Sequence, residues 1–132
     1  MAISVALPGL AGCERSDRGE AEDAARDFLA AMEARDDRRA CSLLTPRLGR
    51  ALDDSFRTSP RLERPRRLAH STCENSAAHL ISPAKAPGHR GALVRSLRIS
   101  GDSGKATAVA PGGVESDIEL ERREGRWLIS NF

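Results

Sequence analysis

Tyrosine is absent from this 132-residue chain, tryptophan occurs once, at Trp127, and Lys85 and Lys105 are the only lysines among 21 basic residues. With no aromatics interleaved among its arginines, the chain lacks the stacking platforms of single-strand nucleic-acid binders, so no nucleic-acid partner is expected. No apolar run approaches the roughly 20 residues that a membrane-spanning helix requires. Histidine and cysteine are limited to three each. Without tyrosine and with so little tryptophan, the core must be assembled from Leu, Ala, Val and Ile.

One further absence frames the N-terminus: no lysine or arginine precedes Arg15. The segment before it is nevertheless apolar, with Ile3, Val5, Ala6, Leu7 and Leu10, and it ends in Leu10-Ala11-Gly12-Cys13. That tetrapeptide reads as a lipobox, in which small residues before the cysteine leave room for diacylation of its thiol and cleavage of the preceding bond. Residues 1–12 are therefore expected to be a truncated lipoprotein signal segment that lacks its positive n-region, with Cys13 lipidated. Residues 13–19, abruptly polar, are expected to be a tether, and residues 20–132 a single domain. The alternative is a short apolar strand or frayed end that happens to finish in these four residues. Two acyl chains on Cys13 suffice for stable anchoring, which would place the protein on the extracytoplasmic face of a cell membrane.

Cysteine arithmetic extends this reading. If Cys13 is lipidated, Cys41 and Cys73 remain as a pair in an oxidising compartment, and a disulfide between them is expected. The alternative is two buried free thiols acting as small hydrophobes.

Net charge is only +2, too little for a general polyanion binder, but it is unevenly spread. Nine acids face four arginines between Glu14 and Asp37, and seven arginines face three acids between Arg47 and Arg67. Within the second stretch, Arg57, Arg61, Arg64, Arg66 and Arg67 form a candidate anion-contact loop, since guanidinium groups bind phosphate in a forked geometry. The alternative is a solvated, solubilising loop.

Periodicity supplies the elements. Ala21, Ala25, Phe28, Leu29 and Met32 recur at three- and four-residue spacing and predict a helix over residues 21–35. Asp36-Asp37 is placed to cap a second helix running to Leu44, where Pro46 stops it. Leu48 to Phe56 predicts a third short helix, and Ser71-Thr72-Cys73-Glu74 matches a capping box opening a fourth. Cys41 and Cys73 then face inward from different helices. Beyond the Pro- and Gly-containing loop at 82–91 the period changes to two. Leu93, Leu97 and Ile99 are expected to share one face of a first strand, residues 105–110 form a second, and Val114, Ser116, Ile118 and Leu120 alternate with four acids in a third. A turn at Glu124-Gly125 leads into a fourth strand with Trp127 and Ile129 on one side. Helices first and an antiparallel meander last predict an α+β domain.

Candidates for chemistry are few. His70, Cys73 and His79 match no zinc-finger spacing and read as a solvated histidine pair beside a structural cysteine, so no metal and no cofactor are expected. Asp53-Asp54 has the chemistry of a general base only if buried beside a cavity; amid arginines it reads as a solvated pair. Asp102 between glycines reads as turn chemistry, and Trp127 as a core anchor.

The order of these elements resembles the NTF2-like superfamily, specifically small extracytoplasmic lipoproteins of high-GC Gram-positive bacteria. The resemblance covers roughly residues 20–132. It rests on the lipobox, the opening helix, Ala40-Cys41-Ser42-Leu43-Leu44, Cys73, Ser100-Gly101-Asp102 and the hairpin Leu120 to Ile129 with its Gly-x-Trp motif. It implies a cone in which N-terminal helices pack on a curved antiparallel sheet, often with an apolar cavity. The superfamily hosts many activities, and this chain lacks the tyrosine of its ketosteroid-isomerase-like members, with no histidine on a predicted strand. A non-enzymatic domain binding a small apolar ligand or an envelope protein partner is therefore expected. A cavity enzyme of the polyketide-cyclase or isomerase type is one alternative, and an interaction domain docking through the arginine loop or the acidic strand is another. The oligomeric state stays open, a homodimer included.

Overall fold

The computed structural model describes residues 11–58, 73 and 91–132. Among the described residues, three named helices, α1 (Ala11–Ala34), α2 (Asp37–Ser42) and α3 (Pro46–Thr58), precede four strands, β1 (Leu93–Ser100), β2 (Ser103–Val109), β3 (Glu115–Arg123) and β4 (Arg126–Asn131). The strands form one antiparallel sheet in sequence order, and α1 packs across it against β4 and β1. This is an α+β arrangement, as the change of period predicts.

α1 buries the stripe Ala21, Ala25, Phe28, Leu29 and Met32, joined by Ala24 and Ala31. It begins at Ala11 rather than Ala21, so residues 13–19, expected as a tether, form its early turns. Its end is set by Arg35, whose φ of 55° lies in the left-handed region. The backbone N–H of Asp36 donates to Ala31 O and that of Arg35 to Met32 O, a Schellman closure carried by a non-glycine residue. Asp36 then caps α2 by accepting from the Arg39 amide at 3.1 Å. Thr45 caps α3, accepting from the Leu48 amide at 3.2 Å. α3 opens at Pro46 rather than Leu48, because proline at the first helical position loses no hydrogen bond and already has a helical φ.

The link between α2 and α3 is stitched to the sheet. Thr45 N–H donates to Ile129 O at 2.8 Å and Ile129 N–H donates to Leu43 O at 2.7 Å, which makes a parallel bridge along the outer edge of β4. Thr45 is the one buried polar residue among the described residues, and its backbone and hydroxyl are both satisfied.

Leu97, Ala106, Ala108, Ile118, Leu120, Trp127 and Ile129 form the sheet side of the core. Two residues expected on this face lie elsewhere. The register shift between Val94 and Ser96 is a β-bulge, which puts Val94 opposite buried Ala108 and turns Leu93 outward, 74% exposed. Val114 precedes β3 in the turn that follows Ala110, and it too is exposed.

Candidate functional site

Each hairpin turn at one end of the sheet is built by residues able to take positive φ. Gly101 (59°) precedes Asp102 in the β1–β2 turn, while Glu124 (50°) and Gly125 (75°) make the two-residue β3–β4 turn. These turns bring Asp102 beside Arg122. The Arg122 Nε and Nη2 both donate to Asp102 Oδ1, at 2.9 and 2.7 Å, and its backbone N–H donates to Asp102 O at 2.7 Å. Its third contact is Nη1 to Asp17 Oδ2 of α1, 2.9 Å. The guanidinium carbon sits 5.9 Å from the centre of the Trp127 ring, within cation–π range. The hydrogen bonds that Arg122 donates to Asp102 and the charges of Asp17 and Asp102 hold the Arg122 pKa above its already high value, outweighing desolvation. Arg122 is a permanent cation between two carboxylates and an indole.

The opposite face of the sheet is charged. Arg95 pairs with Glu115, Lys105 with Asp117 at 3.3 Å, and Arg123 with Glu121 at 2.9 Å. Three of the four acids expected to form an acidic docking strand are thus neutralised by neighbours. An open groove of about 390 Å³ lies over this part of the sheet, lined by Arg98, Ser100, Ser103, Lys105, Glu119 and Glu121 among others. Strand register sets Arg98, Lys105 and Glu119 in one row across it. Most of its lining surface is apolar, with Arg98, Lys105 and Glu119 supplying charged groups.

The expected cysteine pair is joined. A disulfide links Cys41 on α2 to Cys73, with the Cα atoms 5.9 Å apart. A Cβ at Gly49 of α3 would lie 3.9 Å from Cys73 Sγ, so α3 flanks the bridge closely. The Cys13 backbone belongs to the first turns of α1, and its side chain lies outside the described residues. The same holds for the side chain of Arg57 on α3 and for Arg61, Arg64, Arg66, Arg67, His70 and His79 altogether. Asp53 is half-buried and Asp54 exposed on α3. Trp127 is 5% exposed, a core position as expected, and its indole N–H has no partner among the described residues.

Asp102 does more than turn the chain, and neither Asp17 nor Arg122 was expected to matter. A signal for Arg122 is present in the sequence: it continues the inward alternation Ile118, Leu120, Arg122 on β3, and a charge at an inward position calls for a partner. Among the described residues no group of His, Cys, Asp and Glu gathers as metal ligands do, and no helix is long and apolar enough to cross a membrane.

No protein-family model matches the chain. No curated protein matches it either. Among solved structures it is similar to one from Xanthomonas campestris, described as a calcium/calmodulin dependent protein kinase II association domain. The two are 17% identical with a TM-score of 0.40, over 96% of this chain and 89% of the other.

Proposed function

We propose that this chain is an extracytoplasmic, lipid-anchored binding domain of the NTF2-like type, without chemistry of its own. The observation that carries the proposal is the Cys41–Cys73 disulfide, which leaves Cys13 as the single odd cysteine, directly after Leu10-Ala11-Gly12. A structural disulfide fits an oxidising compartment, and an odd cysteine behind small residues fits lipidation. Among the described residues, helices followed by a four-stranded meander, with the Gly-x-Trp hairpin closing it, support the NTF2-like cone.

For the binding role, the described inner face of the sheet is filled by Phe28, Leu29, Met32 and Trp127. The open groove over Arg98, Lys105 and Glu119 joins charged groups to a largely apolar surface, a combination that suits an envelope protein partner. Expressed behind a basic n-region in a bacterium that processes lipoproteins, the protein partitions into the detergent phase and Cys13→Ala abolishes that partitioning. A wild type that stays in the aqueous phase and retains Met1 refutes the anchor.

A further inference from the structure

We infer that the Asp17–Arg122–Asp102 clamp turns the lipid anchor into a fixed mount, which holds the domain with its β1–β2 and β3–β4 turns against the bilayer headgroups. The inference rests on the anchor at Cys13 proposed above. What it adds is an orientation and a membrane-facing surface.

Two contacts fix the direction of α1 along the sheet. Near its start, Asp17 bonds Arg122, which pairs across strands with Trp127 at the beginning of β4. Further along, Phe28 packs on Phe132, with ring centres 4.9 Å apart, just past the end of β4. Asp17 and Phe28 lie about 16 Å apart along a helix rising 1.5 Å per residue. Trp127 and Phe132 lie about 17 Å apart along a strand rising 3.3–3.4 Å per residue. The spacings match, so α1 runs alongside β4 in the same direction, pinned at Asp17 and at Phe28.

Cys13 stands one turn before Asp17 on the same helix, about 6 Å along its axis. Acyl chains on Cys13 thus emerge at the end of the domain that carries Gly101, Asp102, Ser103, Glu124 and Gly125. Leu93 and Val114 sit at the far end. A disordered tether over residues 13–19 would instead behave as a coil with a reach of about 15 Å, free to reorient the domain. Helical continuity removes that freedom, and the clamp fixes the helix to the sheet one turn after Cys13.

Trp127, the sole tryptophan, lies at the membrane-facing end and reports the orientation without labelling. The full chain, extracted from membranes with its diacyl mass confirmed, is reconstituted into vesicles carrying dansyl-labelled phospholipid headgroups. Energy transfer from Trp127 to dansyl is expected to be efficient in the wild type and to fall when a short Gly-Ser segment is inserted between Cys13 and Glu14. Asp17→Ala, which retains a strong helix former, is expected to lower transfer while the far-ultraviolet spectrum is unchanged. Equal transfer in the wild type and the insertion variant, both diacylated, overturns the mount while leaving the anchor intact. A chain recovered without the diacyl mass overturns the anchor and the mount together.

Discussion

Reducing the Cys41–Cys73 bridge releases a loop spanning a sequence separation of 32, and the cost follows from the freedom restored to the unfolded chain. The loop-closure relation gives about 3.7 kcal/mol at 25 °C for a loop of this length. Against the 5–15 kcal/mol typical of whole domains, that is a large fraction of the total. It corresponds to a fall in Tm on the order of 15 °C for a domain of about 110 residues. Comparing oxidised and reduced wild type isolates the cross-link, because no side-chain atom of the two half-buried cysteines is removed. A Cys41→Ala/Cys73→Ala variant adds lost packing and is expected to be somewhat less stable than the reduced protein. Urea unfolding followed by Trp127 fluorescence measures all three, and the slope of the transition should steepen on reduction because the uncrosslinked chain exposes more surface. Oxidised and reduced forms with the same midpoint and slope would refute the reasoning.

Ile129 is fully buried, and its backbone makes both hydrogen bonds to the α2–α3 link, so Ile129→Ala should cost about 2–5 kcal/mol in the same unfolding assay. Glu124 adopts a left-handed φ next to Gly125, where asparagine is tolerated better than glutamate; Glu124→Asn should stabilise by roughly 0.5–1 kcal/mol, read as a rise in Tm. A Cβ at Gly104 would meet the Trp127 ring at 3.5 Å, an ordinary contact, so Gly104→Ala should be mild. Gly104→Leu should push the indole aside at a cost of about 1–3 kcal/mol, with a red-shifted emission.

What the sequence made legible was local. The two-residue period of β3 from Ser116 onward and of β4, the Asp36 cap and the turn at Glu124-Gly125 depend on neighbours within a few positions, and the structure has each where the pattern puts it. The cysteine pairing was also legible, because two inward positions and an odd count left one arrangement favoured. Leu93 was misplaced because a bulge adds one residue to β1 without any glycine or proline to announce it. The long α1 was missed at its start because its polar early turns are held by Arg122, 105 positions away in sequence. The stitch from Leu43 and Thr45 to Ile129 is equally non-local: it consists of backbone groups, which carry no side-chain signature.

The central claim is that the three cysteines divide into one lipidated residue and one disulfide. The intact mass of protein extracted from membranes, with and without reductant, tests it most directly. The account predicts a chain beginning at a diacylated Cys13 whose mass rises by two hydrogens on reduction, as one Cys41–Cys73 bridge requires. A mass that retains Met1 with Cys13 unmodified would contradict it.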